Sequence, residues 1–255
     1  MAADPMTSPG PDEEPDRRDR EAGAGDPPAD DGADGVRHPA GLDHPLDLPR
    51  PRPLRSAAVV AGLALAAAAA VAAAVVGAGP AVVDQRVLSG AVAARSDPLT
   101  WLAVAVTHLG STAAMGVLAA LVALWLLRTS RTHDAVFVVV TAAGASLLFT
   151  VVKRLLDRAR PPLDEHLVDV TNESLPSGHA TMSVAVVGSL VVLAWPGRGR
   201  AARVAMVVAG LAWVAMVGLT RIYLGVHWFS DVIAGWLLGG AWLALCAVLA
   251  DRLAR

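Results

Sequence analysis

Cysteine, lysine, asparagine and aromatic residues are all scarce in this sequence of 255 residues. Cys246 is the single cysteine, so an intramolecular disulfide and a cysteine-based metal site are both excluded. Charged residues make up only 17% of the chain, whereas hydrophobic residues make up 55% and the mean hydropathy is +0.51. A soluble domain of this length rarely has such a composition, which instead favours an integral membrane protein.

The few charged residues are unevenly distributed along the chain. More than half of the 23 acidic residues fall within the first fifty positions, together with many proline, glycine and alanine residues. Such a segment cannot bury enough apolar surface to offset the entropy that is lost when a chain becomes ordered. We therefore predict that residues 1–53 form a disordered acidic tail and that residues 54–255 form one membrane-embedded domain.

Apolar runs long enough to cross a bilayer, which takes about 20 helical residues, recur along the rest of the chain. Six such spans are predicted, near residues 57–79, 105–127, 134–156, 179–196, 202–219 and 229–249. The first run follows a long polar segment, so we interpret it as a retained span and not as a cleaved signal. The stretch 97–127 exceeds one upright span, and its first part is expected to lie at the interface or to re-enter. The predicted fold is an all-α bundle of about six transmembrane helices.

Arginine placement predicts how these spans are oriented. If the N-terminus is cytoplasmic, the C-terminus is cytoplasmic too, and the cytoplasmic side holds Arg50, Arg52, Arg55, Arg128, Arg131, Arg198, Arg200, Arg203, Arg252 and Arg255. The outer side then holds residues 153–178 and 220–228. These two segments carry five cations against the usual bias, namely Lys153, Arg154, Arg158, Arg160 and Arg221. Some of these cations are therefore expected to have a role other than orientation.

Two clusters of polar residues lie next to predicted spans on the outer side. Lys153 and Arg160 are seven residues apart, so on a helix they would share a face, and Pro161 would then end that helix. Ser177 and Gly178 come directly before the fourth span, together with His179. The backbone N–H groups at such a helix N-terminus favour an anion.

A third cluster runs from Thr220 and Arg221 to His227 and Asp231. His227 and Asp231 are four residues apart, so on a helix the carboxylate can accept a hydrogen bond from one imidazole nitrogen. The other nitrogen would then be unprotonated and available as a nucleophile. The three clusters together place cations, an anion-favouring helix N-terminus and a candidate nucleophile on the same predicted side of the membrane.

These clusters resemble the three signature motifs of the type 2 phosphatidic acid phosphatase (PAP2) superfamily, K-x6-R-P, P-S-G-H and S-R-x5-H-x3-D. They occur here at residues 153–161, 176–179 and 220–231. Thr220 stands where the family usually has serine, and the hydroxyl group is retained. Each motif alone is weak, but all three in order, at these spacings and between spans, are a strong signal. The resemblance covers roughly residues 57–250 and leaves the acidic tail unaccounted for.

The resemblance implies a membrane phosphatase that hydrolyses a lipid phosphomonoester or pyrophosphate through a phosphohistidine. Phosphatidic acid, phosphatidylglycerol phosphate and undecaprenyl pyrophosphate are the substrates considered. His227 would attack phosphorus, Asp231 would fix its tautomer and stabilise its charge, and His179 would protonate the leaving oxygen and then activate water. The phosphate would be bound by Lys153, Arg160, Ser177, Gly178 and Arg221. Neither a metal ion nor a cofactor is implied, and no nucleic-acid partner. The site is expected at the outer membrane–water interface.

Three alternatives remain open from the sequence. Vanadium haloperoxidases share these motifs, but they are soluble, so six spans argue against them. A phosphotransferase would use the same phosphohistidine with an alcohol in place of water. A catalytically idle scaffold or lipid-binding protein would have no need of His179, His227 and Asp231 together. Among neighbouring residues, Arg154 and Arg158 are expected to anchor topology or to form loop salt bridges, and His108 to be structural or interfacial.

Overall fold

The computed structural model describes residues 57–253, and the tail predicted at residues 1–53 lies outside them. The described chain is helical throughout its regular elements, in accordance with the predicted all-α class. Eight α-helices follow one another in this part of the chain: α1 (Ala57–Val76), α2 (Asp84–Ala93), α3 (Asp97–Leu109), α4 (Thr112–Arg128), α5 (Thr132–Leu156), α6 (Gly178–Ala194), α7 (Arg200–Tyr223) and α8 (Phe229–Leu253). Two short 3₁₀ turns, Gly79–Val83 and Leu163–Glu165, lie between them.

Four of these helices, α1, α5, α7 and α8, are long and apolar enough to cross a membrane. The helices α3 and α4 meet at an angle of 45° and make a fifth span if they are taken as one broken segment. The apolar helix α6 has only 17 residues and falls below the length of the others. The chain is therefore a multi-pass α-helical membrane protein with four or five spans by length and composition. The count of six stays a prediction.

The helix α8 holds the bundle together, because it packs against α1, α5 and α6. Its contact with α6 depends on two glycines that lie four residues apart. A Cβ atom on Gly235 would lie 2.7 Å from the carbonyl oxygen of Ser177, and one on Gly239 would lie 2.6 Å from that of Thr181. The two helices are therefore in contact backbone to backbone. This approach places the N-terminus of α6 beside the first turn of α8.

A similar close approach brings α3 against α7. A Cβ atom on Gly110 would lie 2.5 Å from Cγ2 of Val217, so a larger residue there would have to displace Val217 or move α3 away from α7. Ser111 then caps α4 by accepting a hydrogen bond from the amide of Ala114. As a result the end of α3 lies against the last two turns of α7.

The connection from α5 to α6 is fixed onto the turn between α7 and α8. Gly225 has a φ of +75°, and a Cβ there would lie 1.9 Å from the carbonyl oxygen of Glu165. The guanidinium of Arg95 donates to that same carbonyl at 2.7 Å and to the carbonyl of Tyr223 at 3.0 Å. Leu167 N also donates to Leu224 O at 3.0 Å. These contacts bring the segments that carry the three motifs to one end of the bundle.

Candidate active site

The centre of the site is His227, which lies in the turn between α7 and α8 and is only 2% exposed. Its Nδ1 lies 3.3 Å from Oδ2 of Asp231, in the first turn of α8. The same oxygen accepts hydrogen bonds from the amide of Trp228 at 3.0 Å and from the hydroxyl of Ser174 at 2.5 Å. A carboxylate that faces Nδ1 places the imidazole hydrogen on that nitrogen and leaves Nε2 with a free lone pair.

The imidazole of His227 is electrically neutral for two reasons. The pKa of His227 lies well below its ordinary value of 6.5. Burial is the largest cause, and the positive charges of Arg160, Arg221 and Lys153 lower the pKa further. Removal from water disfavours the charged form of the ring, and nearby cations disfavour it further. A neutral imidazole with a free Nε2 has the chemical form of a nucleophile.

The Nε2 side of His227 faces the guanidinium of Arg160, with 3.2 Å between Nη1 and Nε2. The remaining Arg160 hydrogen bonds all go to neutral groups: Val226 O, Asn172 O, Asn172 Oδ1 and Glu173 O. Burial lowers the pKa of Arg160, and the carboxylates of Asp231 and Glu173 act in the opposite direction. Arg160 lies in the loop after α5 and reaches the site from outside the helices.

Lys153 and Arg221 complete a set of three cations around His227. The Lys153 ammonium donates to the carbonyls of Glu173 and Ser174, and Arg221 Nη1 donates to the hydroxyl of Thr107 at 2.6 Å. Arg221 Nε is buried without a hydrogen-bond partner among the described residues. Within residues 57–253, none of these three cations forms an ion pair with a carboxylate. Buried cations without counter-ions are costly, and an anion would compensate them.

The P-S-G-H segment provides the helix N-terminus of the site. Ser177 is the N-cap of α6, and its hydroxyl accepts a hydrogen bond from the amide of Ala180. Its own amide donates to the carbonyl of Asp231 at 3.0 Å, which joins this segment directly to α8. Gly178 is packed against Phe149, since a Cβ atom there would lie 3.0 Å from the ring. His179 is half-buried and lies close enough to the backbone of Thr107 and to His227 to interact electrostatically with both.

One structural prediction about this region is wrong. Lys153 and Arg160 do not share a helix face, because α5 ends at Leu156. Asp157 follows in the left-handed conformation with a φ of 43°, and residues 157–162 are not helical. Pro161 disfavours helical backbone at the residue before it, and the left-handed cap turns the chain earlier still. The two cations reach the same site, one from the helix and the other from the loop.

Several residues at the site carry no signal in the sequence pattern. Thr107 binds Arg221 from α3, and Ser174 binds Asp231 from the loop before α6. Arg158 forms ion pairs, as expected, but its partners are Asp84 and Asp231 at the site itself. Asp84 lies more than seventy positions away from both, so sequence proximity could not reveal this contact. Among residues 57–253 no three His, Cys, Asp or Glu side chains are grouped as metal ligands.

The comparisons with known proteins agree with this arrangement. Residues 134–255 match the PAP2 superfamily. Phosphatidylglycerophosphatase B of Bacillus subtilis (strain 168) is 28% identical over 159 residues, which cover 61% of this chain and 77% of that protein. A lipid A 1-phosphatase of Rhizobium johnstonii is 36% identical over 145 residues, and the match spans about half of each protein, 49% of this chain and 54% of the relative.

The fold has a counterpart among solved structures as well. The crystal structure of a transmembrane PAP2-type phosphatidylglycerolphosphate phosphatase from Bacillus subtilis superposes with a TM-score of 0.67 at 25% identity, over 76% of this chain and 96% of that one. The motifs, the fold and the relatives together confirm the expected family and its enzyme class, a phosphoric ester hydrolase. Residues 134–255 of this membrane protein therefore match the PAP2 superfamily of phosphatases in motif, fold and sequence.

Proposed function

We propose that this protein is a lipid phosphatase that works through a phosphohistidine on His227. One observation carries the proposal: the two ring nitrogens of a buried, neutral histidine face opposite charges. Nδ1 faces the carboxylate of Asp231, and Nε2 faces Arg160 within a set of three cations that have neutral partners. This is the environment that an attacking imidazole and a phosphoryl group require together.

The three cations would bind the phosphoryl group of the substrate. A phosphate monoester carries up to two negative charges, and its transition state spreads charge over three equatorial oxygens. Lys153, Arg160 and Arg221 are held by carbonyl and hydroxyl oxygens, which orient them without neutralising them. The N-terminus of α6, at Ser177 and Gly178, adds backbone dipoles that favour an anion. Fixed donors of this kind stabilise the transition state without reorganisation.

The reaction would proceed in two displacements at phosphorus. In the first, Nε2 of His227 forms a bond to phosphorus while the bond from phosphorus to the leaving oxygen breaks, and His179 gives a proton to that oxygen. In the second, His179 takes a proton from water, the water oxygen bonds to phosphorus, and the bond to Nε2 breaks. Asp231 stabilises the positive imidazole ring between the two steps, as a carboxylate does beside a histidine base.

The substrate is expected to be an amphipathic phosphate. The relatives are named for phosphatidylglycerophosphate, for the 1-phosphate of lipid A and, in Sulfolobus acidocaldarius, for undecaprenyl diphosphate, where 37% identity extends over 78 residues and 34% of that protein. Each of these molecules joins a phosphate to long apolar chains. A site at the ends of membrane-spanning helices suits them, because the chains can stay in the bilayer while the phosphate reaches His227.

A phosphate-release assay tests the proposal directly. Purified protein in detergent should release inorganic phosphate from at least one of phosphatidic acid, phosphatidylglycerol phosphate and undecaprenyl pyrophosphate. We expect this activity to persist in excess EDTA, because side-chain cations supply the charge that metal ions supply elsewhere. Vanadate should inhibit it by imitating five-coordinate phosphorus. No release from any of the three lipids would contradict the proposal. EDTA inhibition that Mg²⁺ reverses would contradict the expectation that side-chain cations supply the positive charge at the site.

The active site is proposed to face the outer side of the membrane, as the arginine placement predicts. Cys246 is the only cysteine and is buried, so single cysteines can be introduced with little background. Asp164→Cys lies in the exposed loop near the site, and Arg200→Cys lies at the exposed start of α7. In intact cells an impermeant thiol reagent should label Asp164→Cys and not Arg200→Cys. The reverse labelling would place the site in the cytoplasm.

A further inference from the structure

Asp84 is a buried carboxylate at the start of α2, between the first two spans and outside the residues that match the family. It is only 5% exposed, and a buried charge is costly unless it is paired and hydrogen-bonded. Its Oδ1 accepts from the amide of Ser230 at 2.8 Å, and its Oδ2 accepts from the hydroxyl of Ser230 at 2.6 Å. Arg158 Nη2 also donates to Oδ2, at 2.9 Å. All of these partners lie next to Asp231 or bind it.

Arg158 is shared between Asp84 and Asp231. Its Nη2 donates to Asp84, while its Nη1 donates to Oδ1 of Asp231 at 2.5 Å and to the hydroxyl of Ser230 at 2.8 Å. The guanidinium group is planar and its donors form a rigid fork, so a partner that fixes one arm also aims the other. Asp84 therefore determines the direction from which Arg158 approaches Asp231.

Asp231 divides its two oxygens between two tasks. Oδ1 accepts from Arg158, whereas Oδ2 accepts from Ser174 and Trp228 and faces His227 Nδ1. The backbone carbonyl of Arg158 also holds Ser174, by accepting from its amide at 2.8 Å. Arg158 thus fixes the carboxylate through its side chain on one oxygen and, by way of Ser174, on the other. Without it the carboxylate could rotate away from the imidazole.

We infer that Asp84 is a positioning residue for catalysis, which acts through Arg158 and Ser230 to orient Asp231 against His227. The inference rests on the proposed phosphatase function. Asp84 has a second effect through charge. By sharing the guanidinium, it prevents Arg158 from neutralising Asp231 alone, so that Asp231 keeps negative charge for the imidazolium that forms when His227 is phosphorylated. Asp84 itself touches neither the substrate nor His227.

A merely structural role would attach α2 to α8 and would affect folding alone. The two roles differ in what they do to kinetic constants. The cations that would bind phosphate, Lys153, Arg160 and Arg221, have no hydrogen bond to Asp84 within residues 57–253. Loss of the Asp84 charge should therefore lower kcat and leave KM nearly unchanged, because only the state with a charged imidazole is affected.

The test compares Asp84→Asn with Asp97→Asn in purified, folded protein. Asn retains the shape of Asp84 and an acceptor oxygen for Ser230, and Asp97 is an exposed carboxylate at the start of the next helix, α3. We expect Asp84→Asn to lower kcat by about 10- to 100-fold, the scale of one charge-assisted hydrogen bond, with KM changed by less than about twofold. Asp97→Asn should match the wild type in both constants.

Arg158→Lys provides an independent variant, because a lysine ammonium keeps the charge but lacks the fork that spans two carboxylates. It should lower kcat to a similar extent, and Asp84→Asn combined with Arg158→Lys should be little worse than either change alone. Should Asp84→Asn fail to fold, Arg158→Lys decides: a reduced kcat at unchanged KM supports the inference, and a wild-type kcat overturns it.

Two other results would overturn the inference. One is a folded Asp84→Asn protein with wild-type kcat, and the other is full additivity of the two changes. Failure of the proposed function gives a different result, because the wild-type protein would then release no phosphate from any lipid in the same assay.

Discussion

On one side of His227 the charges are paired, and on the other side they are not. Around Nδ1, the carboxylates of Asp231 and Asp84 share the guanidinium of Arg158, supported by Ser230 and Ser174. Around Nε2, Arg160 lies 3.2 Å away, and the other hydrogen bonds of Arg160, like those of Lys153 and Arg221, go to carbonyl and hydroxyl oxygens. The paired side is complete without a ligand, whereas the unpaired side retains positive charge that an anion can neutralise.

Arg158 and Arg160 illustrate the difference between paired and unpaired charges, since they are two residues apart in the same loop. Arg158 donates to two carboxylates, whereas the partners of Arg160 are all neutral. A cation beside carboxylates is neutralised by them and holds them in position, whereas a cation beside carbonyl oxygens keeps its electrostatic attraction for a substrate. The residue type alone therefore does not assign function, because the partners decide it.

Removal of His227, which lies between the two sides, should reduce turnover more than any other change. His227→Ala eliminates the imidazole nitrogen that lies 3.2 Å from Arg160, so turnover should fall by about 10⁴-fold or more, as when a nucleophile is lost elsewhere. Phosphate release from the preferred lipid measures this. His108→Ala, an exposed histidine on α3, is the matched control and should remain active. Steady turnover by His227→Ala above background would exclude the phosphohistidine mechanism.

Loss of one unpaired cation should have the next largest effect on activity. Arg221→Gln removes a buried guanidinium whose hydrogen-bond partner is the hydroxyl of Thr107, and we expect kcat/KM to fall by about 100- to 1,000-fold, the cost of one transition-state donor. Arg86→Gln, an exposed arginine on α2, is the control and should leave kcat/KM unchanged. Equal activity of the two variants would show that Arg221 does not face the reacting phosphate.

Thermal stability should distinguish the paired cation from the unpaired one. Arg158→Gln leaves two buried carboxylates without their cation, and it should destabilise the protein by about 3 kcal/mol, the lower end for a broken buried ion pair because Arg158 is partly exposed. Arg221→Gln removes a buried charge that lacks a counter-ion, so its Tm should equal or exceed that of the wild type. Melting in detergent measures both. A lower Tm for Arg221→Gln than for Arg158→Gln would contradict the distinction between the two sides.

A smaller effect is expected from exchanging one cation for another at Lys153. The ammonium donates to two neighbouring carbonyls, Glu173 O and Ser174 O, in a position that is only 4% exposed. A planar guanidinium is larger and directs its donors differently, so Lys153→Arg should cost about 1–3 kcal/mol in transition-state stabilisation, or roughly 10- to 100-fold in kcat/KM. Arg154→Lys is exposed and should change kcat/KM little. Near wild-type values for both variants would show that the lysine is not specifically required.

The smallest expected effect is a shift in pH dependence. Burial and then Arg160 lower the pKa of His227, so the neutral, reactive form persists below pH 6.5. Arg160→Gln removes the second of these causes, and the acid limb of kcat/KM should move to higher pH while burial still keeps it below its ordinary position. Profiles of the variant and the wild type with one substrate measure the shift, with Arg86→Gln as the control. An unchanged limb would mean that Arg160 does not act on His227.

The same lowered pKa affects stability in a defined direction. Unfolded His227 binds a proton near pH 6.5, and folded His227 does so only at lower pH, so the unfolded state binds more protons in between. His227 therefore contributes stability above about pH 6.5, and that contribution is lost as the pH falls toward the folded-state pKa.

The sequence predicted the membrane class, the helical fold and the residues that meet at the site, because these depend on local composition and on motif spacing. It did not predict that α5 ends at Leu156. The helix ends because Asp157 alone adopts the left-handed conformation, and the spacing of residues in a helical pattern does not reveal the conformation of one residue. It also predicted that Arg158 would anchor the topology or form a salt bridge in the loop, and it did not reveal the contact with Asp84. The partner Asp84 comes from a distant helix, and only the packing of α2 beside α8 brings the two together.

The contact of α6 with α8 through Gly235 and Gly239 has a consequence for how this protein can change over evolutionary time. Main-chain atoms set the spacing between the Ser177 segment and Asp231, since the Ser177 amide bonds to the Asp231 carbonyl and no side chain separates the helices there. Exchanges among the Val, Leu and Ala side chains of the surrounding bundle can then alter its volume without changing the catalytic spacing. A methyl group on either glycine would separate the two halves of the site. We therefore expect substitutions to be tolerated widely in the surrounding apolar layers of the bundle and poorly at Gly235 and Gly239.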